Sequence, residues 1–302
     1  MRTIVIGLGV QGNKRQLFAG KDFQFSIDPL NDKATFKNLD EVDFQLFDSA
    51  LLCIPDELKF DYVKKLVAKG KHVLIEKPFN LPSLQLKEIA DLAKKTKATV
   101  YVAYNHRFEP HWMTAKDLIE NERIGKIYKL NLFYGNGTAE LVKSSLWRDK
   151  DLGVIPDLAS HLFDLVDFWF GLSQYDIQIL SVNKFENNAY DNAVIKLVGS
   201  PEVILEISLL SWRNNFRAEL VGSEGSINLD SLCKWGPSQL TIRNRKRPSG
   251  KPDEEFSTLV CSDPTWEAEY RHFVNLIDNR NLGNLESNLR ISQLFDKLRE
   301  II

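Results

Sequence analysis

The segment His72–Pro78 places two ionisable side chains directly after an apolar run. Residues 73–75 have the character of a buried parallel strand, and the strand stops at the proline. Glu76 and Lys77 therefore stand at the carboxyl end of a strand, which is where open α/β sheets bind ligands. We expect the Lys77 amine to be partly desolvated there and to meet a substrate hydroxyl or carbonyl, provided that a cofactor lies nearby.

Asp157 and His161 form a second pair with chemical potential, because they are four residues apart in a segment with helical character. Pro156 suits the first turn of that helix, so the two side chains would share a face near its N-terminal end. An imidazole with a carboxylate one turn away can act as an acid–base group near neutral pH. The spacing is also compatible with a pair on the helix surface that has no catalytic role.

A dinucleotide fingerprint near the start of the chain supplies the cofactor that Lys77 needs. The short strand Thr3–Ile6 runs into Gly7-Leu8-Gly9-Val10-Gln11-Gly12, which is G-x-G-x-x-G between a strand and a helical stretch. Gly7 permits the tight turn, Gly9 lets the backbone approach a pyrophosphate, and Gly12 lets the helix pack on the strand. Free N–H groups at the helix N-terminus would then bind the phosphates.

Asp28 ends the second short strand about 20 residues after these glycines, where a carboxylate binds the adenosine ribose. It would accept hydrogen bonds from both ribose hydroxyls and repel a 2′-phosphate, which favours NAD over NADP. Lys14 and Arg15 keep NADP open, because a basic pair near the turn could help to hold a phosphate.

The elements that must position these residues alternate between strand and helix in the first third of the chain. This order predicts an α/β domain with a doubly wound parallel sheet of the Rossmann type over residues 1–104. Consecutive strands without intervening helices then predict an α+β domain with a largely antiparallel open sheet over residues 105–302. We expect the chemistry in the crevice between the two domains.

Composition excludes several classes of function. The net charge of −2 gives no reason to expect nucleic acid or an anionic membrane as a partner, and no apolar run approaches membrane-spanning length. The cysteines Cys53, Cys233 and Cys261 are widely spaced without a C-x-x-C, so we expect reduced thiols and no metal site. The first strand begins at Thr3, so we expect no export signal and a cytoplasmic protein.

Three other features have an ordinary interpretation. The basic run from Arg243 to Lys251 contains no interleaved aromatic residues and predicts a solvated hairpin loop. His106 and His111 flank the domain junction without matching partners and are interpreted as structural or exposed. Arg148 precedes the Asp157 helix, where it either binds cofactor or a substrate hydroxyl or forms a surface ion pair.

Taken together, the glycine-rich turn, the strand ending in Glu-Lys-Pro and the later Asp-x-x-x-His helix resemble the glucose–fructose oxidoreductase and inositol dehydrogenase (Gfo/Idh/MocA) family. The resemblance covers nearly the whole chain and includes Ile54-Pro55-Asp56, Gly70-Lys71-His72-Val73, Tyr104-Asn105-His106-Arg107-Phe108, Trp147-Arg148 and Gly222-Ser223-Glu224-Gly225-Ser226. It implies an NAD(P)-dependent dehydrogenase or reductase that acts on a hydroxyl or carbonyl of a sugar, cyclitol or nucleotide sugar. It also implies a homodimer or homotetramer.

The resemblance assigns roles to individual residues. Lys77 would hydrogen-bond the reacting oxygen and relay its proton, His161 would be the general acid–base, and Asp157 would bind substrate and orient the site. The cofactor-binding positions would be Gly7, Gly9, Val10, Gln11, Gly12, Asp28, Ile54, Pro55, Glu76, Lys77, Asn105 and Arg148. A non-catalytic NAD(P)-binding sensor of the same fold and an NADPH-dependent ketoreductase remain the alternatives.

The chain departs from the family pattern at two places. Lys59 stands where the family often has a histidine, and the resemblance would put it near the nicotinamide. The loop before Asp157 carries a single glycine, Gly153, and Ala159 fills the inner position of the Asp-x-x-x-His turn. We therefore expect a substrate loop of different geometry.

Overall fold

The computed structural model describes residues 1–145 and 148–302, so Trp147 of the Trp147-Arg148 stretch lies outside the described residues. The chain forms two compact units. The first consists of Met1–Asn105 and Trp266–Gln293, and the second of His106–Thr265 and Leu294–Ile302.

A five-stranded parallel sheet forms the centre of the first unit, with the strand order β2-β1-β3-β4-β5. Its strands are β1 (Thr3–Ile6), β2 (Phe23–Ile27), β3 (Ser49–Leu52), β4 (His72–Glu76) and β5 (Val100–Ala103). Its helices are α1 (Val10–Ala19), α2 (Asp56–Ala68) and α3 (Ser83–Thr96). Strands β1, β3 and β5 are buried at every position, as expected for parallel strands covered on both faces. The doubly wound Rossmann-type sheet is confirmed.

The observed units differ from the expected division after residue 104. The segment Trp266–Gln293 belongs to the first unit; it contains nearly all of helix α7 (Thr265–Asp278) and the start of helix α8 (Leu285–Ile301). The loop between these helices runs along the edge strand β5. The side chain of Asn284 accepts a hydrogen bond from the Val102 N–H (2.7 Å) and donates one to its carbonyl (2.9 Å). The loop thus satisfies backbone groups that an open sheet edge would leave unpaired.

The second unit is built on an eight-stranded sheet with the order β13-β12-β11-β10-β6-β9-β8-β7. Its strands are β6 (Ile127–Gly135), β7 (Asp176–Asn183), β8 (Asn192–Val198), β9 (Glu202–Ser208), β10 (Asn215–Gly222), β11 (Gly225–Asp230), β12 (Ser238–Asn244) and β13 (Asp253–Leu259). Its helices are α4 (Pro110–Glu120), α5 (Ala139–Lys143) and α6 (Ser160–Phe170). Only β6 and β9 pair in parallel, so the predicted largely antiparallel sheet is confirmed.

One face of this sheet makes the core of the second unit. In β9 the alternate residues Val203, Leu205 and Ile207 are fully buried, while Ile204 and Glu206 between them are partly exposed. This alternation is typical of a sheet that packs on one face. The basic loop between β12 and β13 is shorter than predicted. Arg243, the first residue of the predicted loop, lies in β12 and pairs with Glu254 of β13. None of the helices in the described part of the chain is long and apolar enough to cross a membrane.

We predict that Asn284→Ala destabilises the first unit by about 2 to 4 kcal/mol, because it leaves the N–H and carbonyl of the fully buried Val102 without their partner. Asn279→Ala is the matched control, since the Asn279 amide only caps the exposed end of α7 on Asn275. Equal urea-unfolding midpoints for the two variants would contradict the stabilising role of Asn284.

Candidate functional site

The glycine-rich turn after β1 has the shape that a dinucleotide requires. Gly7 has a φ of +89°, and a Cβ there would overlap the Cys53 carbonyl oxygen. A Cβ on Gly12 would overlap the Gly7 carbonyl oxygen, so the third glycine brings α1 against the turn. Gly9 faces open space, because none of the described atoms outside its own turn lies within 4 Å of its Cβ position. The turn therefore leaves room at the one glycine where the fingerprint expects a pyrophosphate.

Val10 and Gln11 are the first residues of α1, and Val10 is 76% exposed. The N–H groups of a first helical turn have no partners within the helix and carry its positive dipole end. Asn13 already closes the first backbone bond to the Gly9 carbonyl. The helix start beside Gly9 thus has the features of a phosphate-binding position.

Asp28 lies directly after β2, where its carboxylate stabilises the glycine-rich turn. Its Oδ2 accepts the Leu8 N–H (2.7 Å), and its Oδ1 accepts the N–H groups of Leu30 (2.8 Å) and Asn31 (2.9 Å). Burial alone would raise the pKa of Asp28, but these three donors outweigh it and lower the pKa below its ordinary value. A carboxylate has about four acceptor positions, so Oδ2 offers one further position to a ribose hydroxyl.

Arg15 is not available to hold a phosphate, in contrast to the possibility that the sequence left open. Its side chain is 1% exposed, its Nε lies 2.5 Å from Glu76 Oε1, and its Nη2 lies 2.6 Å from Glu269 Oε2. The guanidinium also stacks on Trp266, 4.4 Å from the ring centre. The two carboxylates make the burial of Arg15 possible, because a buried guanidinium needs them to compensate for its lost hydration.

Glu76, predicted to bind cofactor, has its carboxylate in this ion pair. The next residue, Lys77, is partly exposed at the carboxyl edge of the parallel sheet, and the Lys77–Pro78 peptide is cis. Ile54 and Pro55 follow β3 at the same edge and lead into α2. The edge therefore brings together the glycine-rich turn, the Ile54–Pro55 turn and Lys77.

Lys59 lies inside the first unit with only 2% of its surface exposed. Its Nζ is 2.6 Å from the carbonyl oxygens of both Glu76 and Pro78 and 2.6 Å from Asp56 Oδ1. Burial lowers the pKa of Lys59, although Asp56 opposes the change. The ammonium is thus bound to the protein's own backbone beside Lys77, whereas the family resemblance would put it at the nicotinamide.

In the second unit, Asp157 lies in a π-helical turn, Ile155–Ala159, which leads into α6. The sequence predicted a regular helix here, and a π turn is a local irregularity that often marks a functional site. Arg148 donates to Asp157 Oδ2 (2.8 Å), and both side chains are about one-third exposed. Arg148 therefore pairs with the predicted substrate-binding carboxylate.

His161 lies in the first turn of α6 and is only 4% exposed. Aromatic rings surround its imidazole. His106 stacks on it with a centroid distance of 3.9 Å and an interplanar angle of 15°. The Lys234 Nζ lies 3.0 Å from His106 Nε2, so an ammonium there donates to the tautomer whose Nε2 accepts. His106 thus contacts both the Lys234 ammonium and the ring of His161.

The interpretation of His106 as a merely structural or exposed residue missed this contact. His106 and Arg107 belong to one short helix, Asn105–Phe108, and Arg107 Nε donates to Asp164 Oδ2 (2.9 Å) one turn after His161. The segment thus contacts α6 twice, around the predicted acid–base group. Asn105, predicted to bind cofactor, is 8% exposed at the start of this helix and belongs to the first unit.

His111, the other junction histidine, has a structural role. Its Nδ1 lies 2.9 Å from Ser238 Oγ and its Nε2 lies 3.1 Å from Ser257 Oγ, which ties α4 to β12 and β13. Among residues 1–145 and 148–302, no cluster of three histidine, cysteine or carboxylate side chains has the arrangement needed to hold a metal ion.

Family models identify both units. Residues 2–104 match an oxidoreductase family with an NAD-binding Rossmann fold, and residues 112–228 match the GFO/IDH/MocA C-terminal domain. The chain belongs to the Gfo/Idh/MocA oxidoreductase family. Inositol 2-dehydrogenase of Rhizobium meliloti, a relative, is 23% identical over 60% of this chain and 56% of its own length. Two uncharacterised oxidoreductases, from Schizosaccharomyces pombe and Synechocystis, are matched over 52% and 61% of their lengths, so the chain spans little more than half of these relatives.

Solved structures of other proteins superpose on nearly the whole chain. Levoglucosan dehydrogenase in complex with NADH has a TM-score of 0.86 and 16% identity and covers 99% of this chain and 96% of its own. UDP-N-acetylglucosamine 3-dehydrogenase from Acidithiobacillus ferrooxidans has a TM-score of 0.84 and 18% identity, with coverage of 100% and 97%. At these identities the likeness establishes the fold.

We predict that Gly9→Ala and Gly12→Ala separate cofactor binding from folding. Gly9→Ala fills only open space and should leave the melting temperature within about 2 °C while it weakens NADH binding at least about tenfold, because a methyl group would occupy the phosphate position. Gly12→Ala should lower the melting temperature, because its methyl group meets backbone. Fluorescence titration with NADH and thermal unfolding measure the two effects, and unchanged NADH affinity in Gly9→Ala would count against the assigned pyrophosphate position.

Proposed function

We propose that this protein is an NAD-dependent dehydrogenase that transfers a hydride between the nicotinamide and a secondary hydroxyl or ketone of a sugar, cyclitol or nucleotide sugar. The observation that carries the proposal is the sheet edge of the first unit, where a turn shaped for a dinucleotide and the Lys77 amine stand after parallel strands of one sheet. The named substrates of relatives and structural neighbours, an inositol, levoglucosan and a nucleotide sugar, support a polyhydroxylated substrate.

Each residue of the proposed site has a separate role in the reaction. A bound nicotinamide supplies the acceptor for the hydride that leaves the carbinol carbon. In the proposed reaction the Lys77 ammonium binds the alcohol oxygen and stabilises the negative charge that develops on it. His161 takes the hydroxyl proton as the C–H bond breaks, so the alcohol becomes a ketone with one hydride and one proton removed. Asp157 hydrogen-bonds a neighbouring substrate hydroxyl, and Arg148 holds the orientation of its carboxylate.

We further propose that the protein is cytoplasmic and forms a homodimer or a homotetramer, as expected from the sequence. The three cysteines of the chain, Cys53, Cys233 and Cys261, are all free thiols, which suits a reducing compartment.

We predict that Lys77→Met and His161→Gln each lower kcat by at least about a hundredfold while NADH binding stays within about threefold of the wild type, because both residues act on the substrate oxygen. The assay follows NADH absorbance with NAD and a panel of sugars, inositols and nucleotide sugars. Lys87→Met on the exposed face of α3 and His111→Gln are the matched controls and should retain turnover. If the wild type binds NADH but turns over no member of the panel, the protein is a sensor and the proposal fails.

We predict that NAD binds more tightly than NADP and that Asp28→Asn reduces this preference at least about tenfold. The substitution removes the negative charge that repels a 2′-phosphate and keeps one acceptor oxygen for the Leu30 and Asn31 N–H groups, while the Leu8 N–H loses its acceptor. The ratio of the two dissociation constants, from fluorescence titration, measures the effect. Tighter binding of NADP by the wild type would refute the assignment of Asp28.

A further inference from the structure

The three hydrogen-bond donors of the Lys59 ammonium each have an acceptor. Two are the carbonyl oxygens of Glu76 and Pro78, and the third is Asp56 Oδ1, all at 2.6 Å. The side chain extends from α2 into the interior and is 2% exposed, whereas the side chain of Asp56 is 51% exposed. The contacts that lie in the interior are therefore those with the two carbonyls.

These two carbonyls belong to the residues immediately before and after Lys77. One cation thus holds the main chain on both sides of the residue that the proposed reaction uses. The Glu76 side chain is held in addition by Arg15 at 2.5 Å. The backbone that carries Lys77 is fixed through bonds that do not involve the Lys77 side chain.

Stability alone does not account for an ammonium at this place. Taking a charge out of water costs several kcal/mol, and apolar residues of similar volume are often at least as stabilising in such positions. Lys59 belongs to the buried face of α2 with Val63, Leu66 and Val67, where an apolar side chain would continue the core. A methionine there would pack well but would leave the Glu76 and Pro78 carbonyls without their donor.

We propose that Lys59 is a positioning residue for Lys77: by binding the carbonyls of Glu76 and Pro78 it sets the place from which the Lys77 ammonium meets the reacting oxygen. The inference rests on the proposed function for the role of Lys77. A displacement of about 1 Å at a reacting group can cost about a hundredfold in rate, so a backbone tether of this kind has a measurable effect.

The test compares Lys59→Met with Lys64→Met. Both substitutions are in α2, but Lys64 is at the surface, where it pairs with Glu88 and is 48% exposed. Lys59→Met should lower kcat about 10- to 100-fold, with substrate KM and NADH affinity within about threefold of the wild type. It should also speed amide hydrogen exchange from Lys77 to Asn80, whereas Lys64→Met should change neither.

Lys59→Gln provides a second variant that can still donate to a carbonyl and should have an intermediate kcat; it also carries the test if Lys59→Met does not fold. Wild-type kcat in Lys59→Met, or unchanged exchange between Lys77 and Asn80, would overturn the inference. A rise in KM or a loss of NADH affinity as large as the fall in kcat would also overturn it, since the change would then be general. The exchange measurement needs no substrate, so it tests the tether even if the wild type shows no turnover and the proposed function fails.

Discussion

The first unit depends on one buried cation, the guanidinium of Arg15. It joins α1, which follows the glycine-rich turn, to the end of β4 through Glu76 and to α7 through Glu269. Burial by itself would lower the pKa of Arg15, but the two carboxylates outweigh burial and hold the pKa above its ordinary value. Removing either partner of a buried ion pair typically costs about 3–5 kcal/mol. The glycine-rich turn and the end of β4, directly before Lys77, are therefore held together by a permanent charge.

The sequence predicted the sheets and the glycine-rich turn because both depend on local pattern. Short apolar strands that alternate with amphipathic helices leave few topologies, and a Cβ at Gly7 or at Gly12 would overlap a backbone carbonyl oxygen. Strand β13 gives little signal in the sequence, because five of its seven residues are polar and six are exposed at the sheet edge. The grouping of Trp266–Gln293 with the first unit was missed because Asn284 recognises the backbone of a strand far away in sequence.

The contacts that the sequence could not show are those whose partners come from distant segments. The role of Arg15 needs Glu269, and the stacking of His106 on His161 needs two segments to meet. A signal for two of them was present nonetheless. Lys59 falls in the helical stripe of Val63 and Leu66, and Arg15 shares the buried face of α1 with Gly12 and Ala19. A basic residue inside an apolar stripe predicts a buried partner, although periodicity cannot name that partner.

The three backbone hydrogen bonds of Asp28 couple cofactor choice to folding. The carboxylate that would recognise the ribose also accepts the Leu8 N–H inside the glycine-rich turn and closes the loop at Leu30 and Asn31. A redesign toward NADP therefore cannot simply exchange this residue for a small or basic one. It must first supply other acceptors for these amides and only then add a cation for the phosphate. In evolution the same coupling would make a change of cofactor a two-step event, with a less stable intermediate between the steps.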